Sequence, residues 1–124
     1  MSTYSQHAGD AFELYNLRVE ISERSGRIIG KHKVGDYFEV IGEDIFIPHG
    51  QGFSIYALGA LLPLLAAKQR QNHPHDFMES DDLIADPDVN CKAIYRICRT
   101  GKTIFRHIDV SGNPLSPTTN HHAC

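Results

Sequence analysis

"SIYALGALLPLLAAKQR", residues 54–70, decides how the fold of this chain is read. Here Ile55, Leu58, Leu62 and Leu65 recur at three- and four-residue intervals with Leu61 beside them, which places apolar side chains along one face of a helix. Ser54 stands where that helix needs a cap, because its hydroxyl can accept from a first-turn amide that has no carbonyl four residues behind it. Few polar positions precede Lys68, so near-complete burial is expected. Pro63 cannot donate to the carbonyl of Gly59 and its ring presses on the preceding turn. A kink between these two residues, or two short helices meeting there, is therefore expected. The apolar run spans roughly 20 Å as a helix against a hydrocarbon core of about 30 Å, which excludes a membrane span by this segment.

Toward the N-terminus the period is two. In "FELYNLRVEISER", residues 12–24, Leu17, Val19 and Ile21 alternate with Arg18, Glu20 and Ser22, the pattern of a strand with one wet face, expected over Glu13 to Glu23. "SGRIIGKHKVGD", residues 25–36, is a glycine-rich basic turn. "YFEVIGEDIFIP", residues 37–48, supplies two short strands, Asp36 to Ile41 and Asp44 to Ile47, and completes an antiparallel meander. Beyond the helix, "HPHDFMESDDLIADPDVN", residues 73–90, reads as a long acidic loop. "CKAIYRICRTGKTIFRHIDV", residues 91–110, reads as a hairpin turning at "TGKT".

The elements sum to an α+β fold: a small antiparallel sheet or partial barrel of about five strands with one long, Pro-kinked apolar helical segment. At 124 residues one core is expected. The expected organisation is a flexible N-terminus over residues 1–11, a single α+β domain over 12–111, and a flexible tail over 112–124. A net charge of −3 with scattered basic residues lacks the field that holds a phosphate backbone, so no nucleic-acid partner is expected. The N-terminal residues lack the basic start and apolar core of a secretion signal, and Cys91, Cys98 and Cys124 form an odd set. A cytoplasmic location with free thiols is the expectation.

The stretches "KHKVGDYFEV", "PHGQGFSIYALGALLPLLAAKQR" and "IADPDVNCKAIYRICRTG" together resemble a family of small bacterial and archaeal proteins of unknown function, designated by a serial number. The likeness covers residues 14–101. It implies that Gly35 and Asp36, the Ser54 helix and the turn from Asp86 to Cys91 form one structural unit. Members tend to carry cysteine where Ser54 and Asp86 stand here, and another near Arg27, while Cys91 is kept. A thiolate metal site built on those positions could not be reproduced by this chain's hydroxyl and carboxylate. The resemblance implies no activity.

Eight histidines are the main chemical resource. "IPHGQGFSIY" brings His49, Gly52, Ser54 and Tyr56 to the helix start, where unpaired amides favour an anionic group, and His49 changes charge near neutral pH. The site expected from sequence has His49, His75 and Asp76 as catalytic residues, and His32, Gly52, Ser54 and Tyr56 as ligand-binding residues. The chemistry expected is that of a cofactor-free acid–base enzyme of lyase, isomerase or decarboxylase type acting on a polar organic acid. A non-catalytic accessory subunit of a larger metabolic enzyme is the alternative. A weaker alternative is a metal protein using His73, His75, Asp86 and Cys91, although no metal is favoured at so weak a spacing. Self-association is expected from short edge strands.

Overall fold

The structure, a computed structural model, describes residues 9–115, with the side chains of residues 23 and 24 left aside. Of the expected flexible ends over residues 1–11 and 112–124, residues 1–8 and 116–124, with His7, His121, His122 and Cys124, lie outside the described residues.

The alternating stretch forms β1 (Ala11–Arg24), and its inward residues Leu17, Val19 and Ile21 are buried. The glycine turn leads into β2 (Tyr37–Ile41), which runs antiparallel to β1 with Val19 opposite Phe38. Gly35 adopts φ +99° and donates its amide to the carbonyl of Ile21 at 2.8 Å, so the turn returns onto β1 in a conformation that other residues rarely take. A two-residue connection then gives the edge strand β3 (Asp44–Phe46).

Helix α1 (Ile55–Lys68) follows, and the one-turn helix α2 (Phe77–Ser80), the short strand β4 (Leu83–Ala85), the long strand β5 (Ala93–Arg106) and the one-turn helix α3 (His107–Val110) complete the chain. The strands make one antiparallel sheet in the order β3-β2-β1-β5-β4. Helix α1 lays Ala57, Leu61 and Leu65 against Leu17, Ile21, Phe38, Tyr95 and Ile97 of the sheet. Its C-terminal end is tied down by polar contacts. Gln69 donates from Nε2 to Gly42 O at 2.7 Å and its carbonyl accepts from Tyr15 N at 2.8 Å. Arg99 donates to Lys68 O at 2.8 Å and to the Glu79 carboxylate of α2 at 2.7 Å. Lys68 is buried and donates from Nζ to Met78 O at 2.7 Å and to Asp81 O.

The fold expectation is corrected in several respects. The sheet is open, with β3 and β4 at its edges, and no partial barrel forms. Among the described residues there is no long apolar helical segment: α1 has 14 residues, about 21 Å, and the other two helices have four each. Helix α1 continues through Pro63 instead of dividing there, because Gly59 and Pro63 both lie on its exposed side, where solvent can meet the freed carbonyl. For the same reason burial is far from complete, with Ile55 and Tyr56 72% and 77% exposed. The "TGKT" hairpin is absent. β5 runs straight through residues 100–103, and a register shift sets Asn16 opposite Gly101 but Leu17 opposite Arg99, so the extra residue is absorbed as a bulge. The acidic loop contains α2 and β4, and β4 pairs with β5 through Ile84 and Tyr95. No helix of the described residues is long and apolar enough to cross a membrane.

Candidate functional site

A cavity of about 650 Å³ opens where the start of α1 meets the glycine turn and the turn from Asp86 to Cys91. Ile21 of β1 and Tyr95 of β5 reach it from the sheet, and Ile28, Ile29 and Pro87 make further apolar wall. The volume lies within the range of small-molecule sites.

Ser54 lies at the helix mouth and caps α1 as its sequence position suggests: Oγ accepts from Ala57 N at 3.3 Å and its carbonyl accepts from Leu58 N at 2.9 Å. Ile55 and Tyr56, whose amides open the helix and so have no carbonyl four residues behind them within it, line the rim. His32 projects from the glycine turn into the lining with its side chain mostly covered, and its Nδ1 lies 3.5 Å from Oδ2 of Asp36. Asp36 is buried and also accepts from Lys33 N at 3.2 Å. This contact sets the carboxylate on the Nδ1 side of the ring. Gly52, at φ +71°, brings the chain close to His32: a Cβ there would stand 4.0 Å from Cε1 of the ring.

On the wall formed by the 86–91 turn, Tyr95 Oη donates to Oδ2 of Asp86 at 2.6 Å. Burial, and then this carboxylate, push the Tyr95 phenol well above its ordinary range, so it stays a protonated donor. Cys91 is buried beside it, its Sγ accepting from Ile29 N at 3.4 Å, so the glycine turn and the 86–91 turn are joined through the thiol. A smaller hollow of about 230 Å³ lies against the same turn and shares Asp86, Asp88 and Cys91 with the larger one.

Of the residues expected from sequence, His32, Ser54 and Tyr56 line this cavity and Gly52 abuts His32. The other three are elsewhere. His49 is exposed in the turn closed by the hydrogen bond from Gln51 N to Pro48 O, outside the cavity lining. Asp76 caps α2 by accepting from Met78 N at 2.8 Å. His75 is exposed, and its amide donates to Nδ1 of His73 at 3.1 Å. Asp86 and Cys91 line the cavity while His73 and His75 do not, and among the described residues no three histidine, cysteine, aspartate or glutamate side chains gather to hold a metal ion.

Asp36 and Tyr95 were missed as site residues. Asp36 is four residues beyond His32, a spacing that carries a signal only once the intervening chain is known to turn. Tyr95 falls within the hairpin expected over residues 91–110, and nothing local ties it to Asp86. No protein-family model, curated protein or solved structure matches the chain.

Proposed function

We propose that this chain is a small-ligand-binding domain whose cavity at the start of α1 carries out cofactor-free acid–base chemistry, of lyase, isomerase or decarboxylase type, on a polar organic acid. The observation that carries this reading is the placement of His32, held by the buried Asp36, in an apolar-walled cavity large enough for a small molecule. In this reading His32 takes the acid–base role, its Nε2 exchanging a proton with the ligand while Asp36 holds the ring in place. The acid group of the ligand rests near Lys31 and the first amides of α1, whose residues all border the cavity.

Calorimetric titration with a panel of short-chain hydroxy and keto acids tests the reading. Saturable binding to the parent chain is expected, lost in Ile29→Trp, which fills the cavity from a partly exposed position, and weakened in His32→Gln. Binding that survives Ile29→Trp unchanged would overturn it.

A second reading, a non-catalytic accessory subunit, is favoured by the outer side of α1, where Ile55, Tyr56 and Leu62 are exposed and Phe77 of α2 stands 66% exposed. The edge strand β3 likewise exposes Ile45 and Phe46, which suits self-association. Sedimentation of the isolated chain separates the cases: a monomer that binds no small acid favours docking on a larger enzyme, and a dimer dissociated by Phe46→Lys favours pairing at β3.

A further inference from the structure

The polar groups around the cavity differ in whether the protein itself satisfies them. Ser54 Oγ is engaged by Ala57 N, the Tyr95 hydroxyl by Asp86, and the Cys91 sulfur by Ile29 N. Asp86 accepts from Tyr95 and from Asp88 N at 2.8 Å, and Asp88 accepts from Asn90 N at 2.9 Å. These are all donors without formal charge. Among the described residues neither Asp86 nor Asp88 forms an ion pair, and the neighbouring Lys92 gives its ammonium to Val89 O at 2.7 Å instead. Lys31, on the glycine-turn side of the same cavity, has no ion pair among the described residues either.

The cavity lining thus includes two aspartates on one turn and one lysine on another that have no countercharge among the described residues, together with several isoleucines. An acid with no other charge would satisfy Lys31 and bring a further negative charge into a space that already faces Asp86 and Asp88. A molecule carrying both signs would meet both turns. We propose that the ligand is zwitterionic, an apolar amino acid or a close analogue. Its ammonium is held by Asp86 and Asp88, its acid group lies toward Lys31 and His32, and its side chain rests on Ile21, Ile28 and Ile29.

This inference rests on the reading of the cavity as an organic-acid site, and its test separates the two. The probes are L-leucine and L-phenylalanine, the corresponding acids without the amine, isocaproate and hydrocinnamate, and the corresponding amines without the acid, isopentylamine and phenethylamine. Each is titrated calorimetrically into the full chain, into Asp86→Asn and Asp88→Asn, and into the double variant. At 88 an asparagine can still accept from Asn90 N, whereas at 86 its single carbonyl oxygen can replace only one of the two acceptors that meet Asp88 N and the Tyr95 hydroxyl, so a melting curve confirms that each variant is folded. At least one amino acid is expected to bind roughly tenfold or more tightly than its deaminated partner, as an added charged hydrogen bond gives. That advantage is expected to vanish in the double variant, while the deaminated acid binds at least as tightly as it does to the parent chain. Equal or tighter binding of the deaminated acids overturns the zwitterion and leaves the acid site standing. Amines that bind as tightly as the amino acids overturn both, as does the absence of binding by every probe.

Discussion

Tyr95, in the second strand from the β4 edge of the sheet, donates a 2.6 Å hydrogen bond to Asp86, nine residues earlier in the chain, and so ties one wall of the cavity directly to the core. Tyr95 also packs near Phe53, with ring centroids 5.8 Å apart, and Phe53 meets Phe38 edge-to-face at 4.8 Å. The cavity wall is thereby continuous with the aromatic part of the core that lies beneath the start of α1.

Removing the hydroxyl isolates that tie. Tyr95→Phe keeps the ring and leaves a partly buried carboxylate one donor short, so a loss of about 1–3 kcal/mol is expected in denaturant unfolding. The amides of Asp88 and Cys91 should exchange faster with solvent. Unchanged stability and unchanged exchange would show that the hydrogen bond does not hold the turn.

The two faces of α1 should respond unequally. Leu61 is fully buried and Leu62 is half exposed. Leu61→Ala is expected to cost about 2–5 kcal/mol, the range for emptying a core position. Leu62→Ala should cost less than about 1 kcal/mol, as for a surface change. Equal costs would mean that the helix is covered on both sides.

Acid stability should depend on Glu79. Arg99, and then the Asn72 side chain and amide, lower its carboxyl from an ordinary 4.5 to about 2. A carboxyl depressed on folding contributes stability that is fully present above the unfolded value and is lost as pH falls through the folded one. Unfolding free energy is therefore expected to decline between pH 4.5 and about 2, and Glu79→Gln should flatten that part of the curve. An unchanged slope in the variant would assign the decline to other carboxylates.

The ring of His32 should report on Asp36. With Oδ2 of Asp36 3.5 Å from Nδ1, neutral His32 is expected to carry its proton on Nδ1, read from nitrogen-15 shifts of the imidazole. Asp36→Asn should move the population toward the Nε2–H form. A parent spectrum already dominated by Nε2–H would remove Asp36 from the positioning role.

Much of this fold was legible because local pattern and tertiary packing agree. The alternation of Leu17, Val19 and Ile21, a helix after Ser54 and the Ser54 cap survive into the structure, but that helix buries Ala57, Leu61 and Leu65 in place of the expected stripe of Ile55, Leu58, Leu62 and Leu65. The "TGKT" turn failed because its local preference competes with β1, which pairs with β5 from Ala11 to Arg24 and holds those residues extended. Near-complete burial of α1 failed because apolar spacing identifies a helix without saying how many layers cover it, and here one sheet covers one face. At the site, His32 and Ser54 could be named from their neighbourhoods. The meeting of Asp86 with Tyr95 depends on how the 86–91 turn folds back beside β5, which no short-range pattern encodes.

The most direct test uses the isoleucine methyl groups, which divide cleanly between the cavity and the rest of the molecule. Ile21, Ile28, Ile29 and Ile55 line it, whereas Ile45, Ile97 and Ile104 do not. In methyl-labelled protein titrated with the probe that binds most tightly, saturable shifts are expected at the first four and none at Ile45 or Ile104. Shifts centred on Ile45, or no saturable shift at the four cavity methyls, would contradict a ligand site at the start of α1.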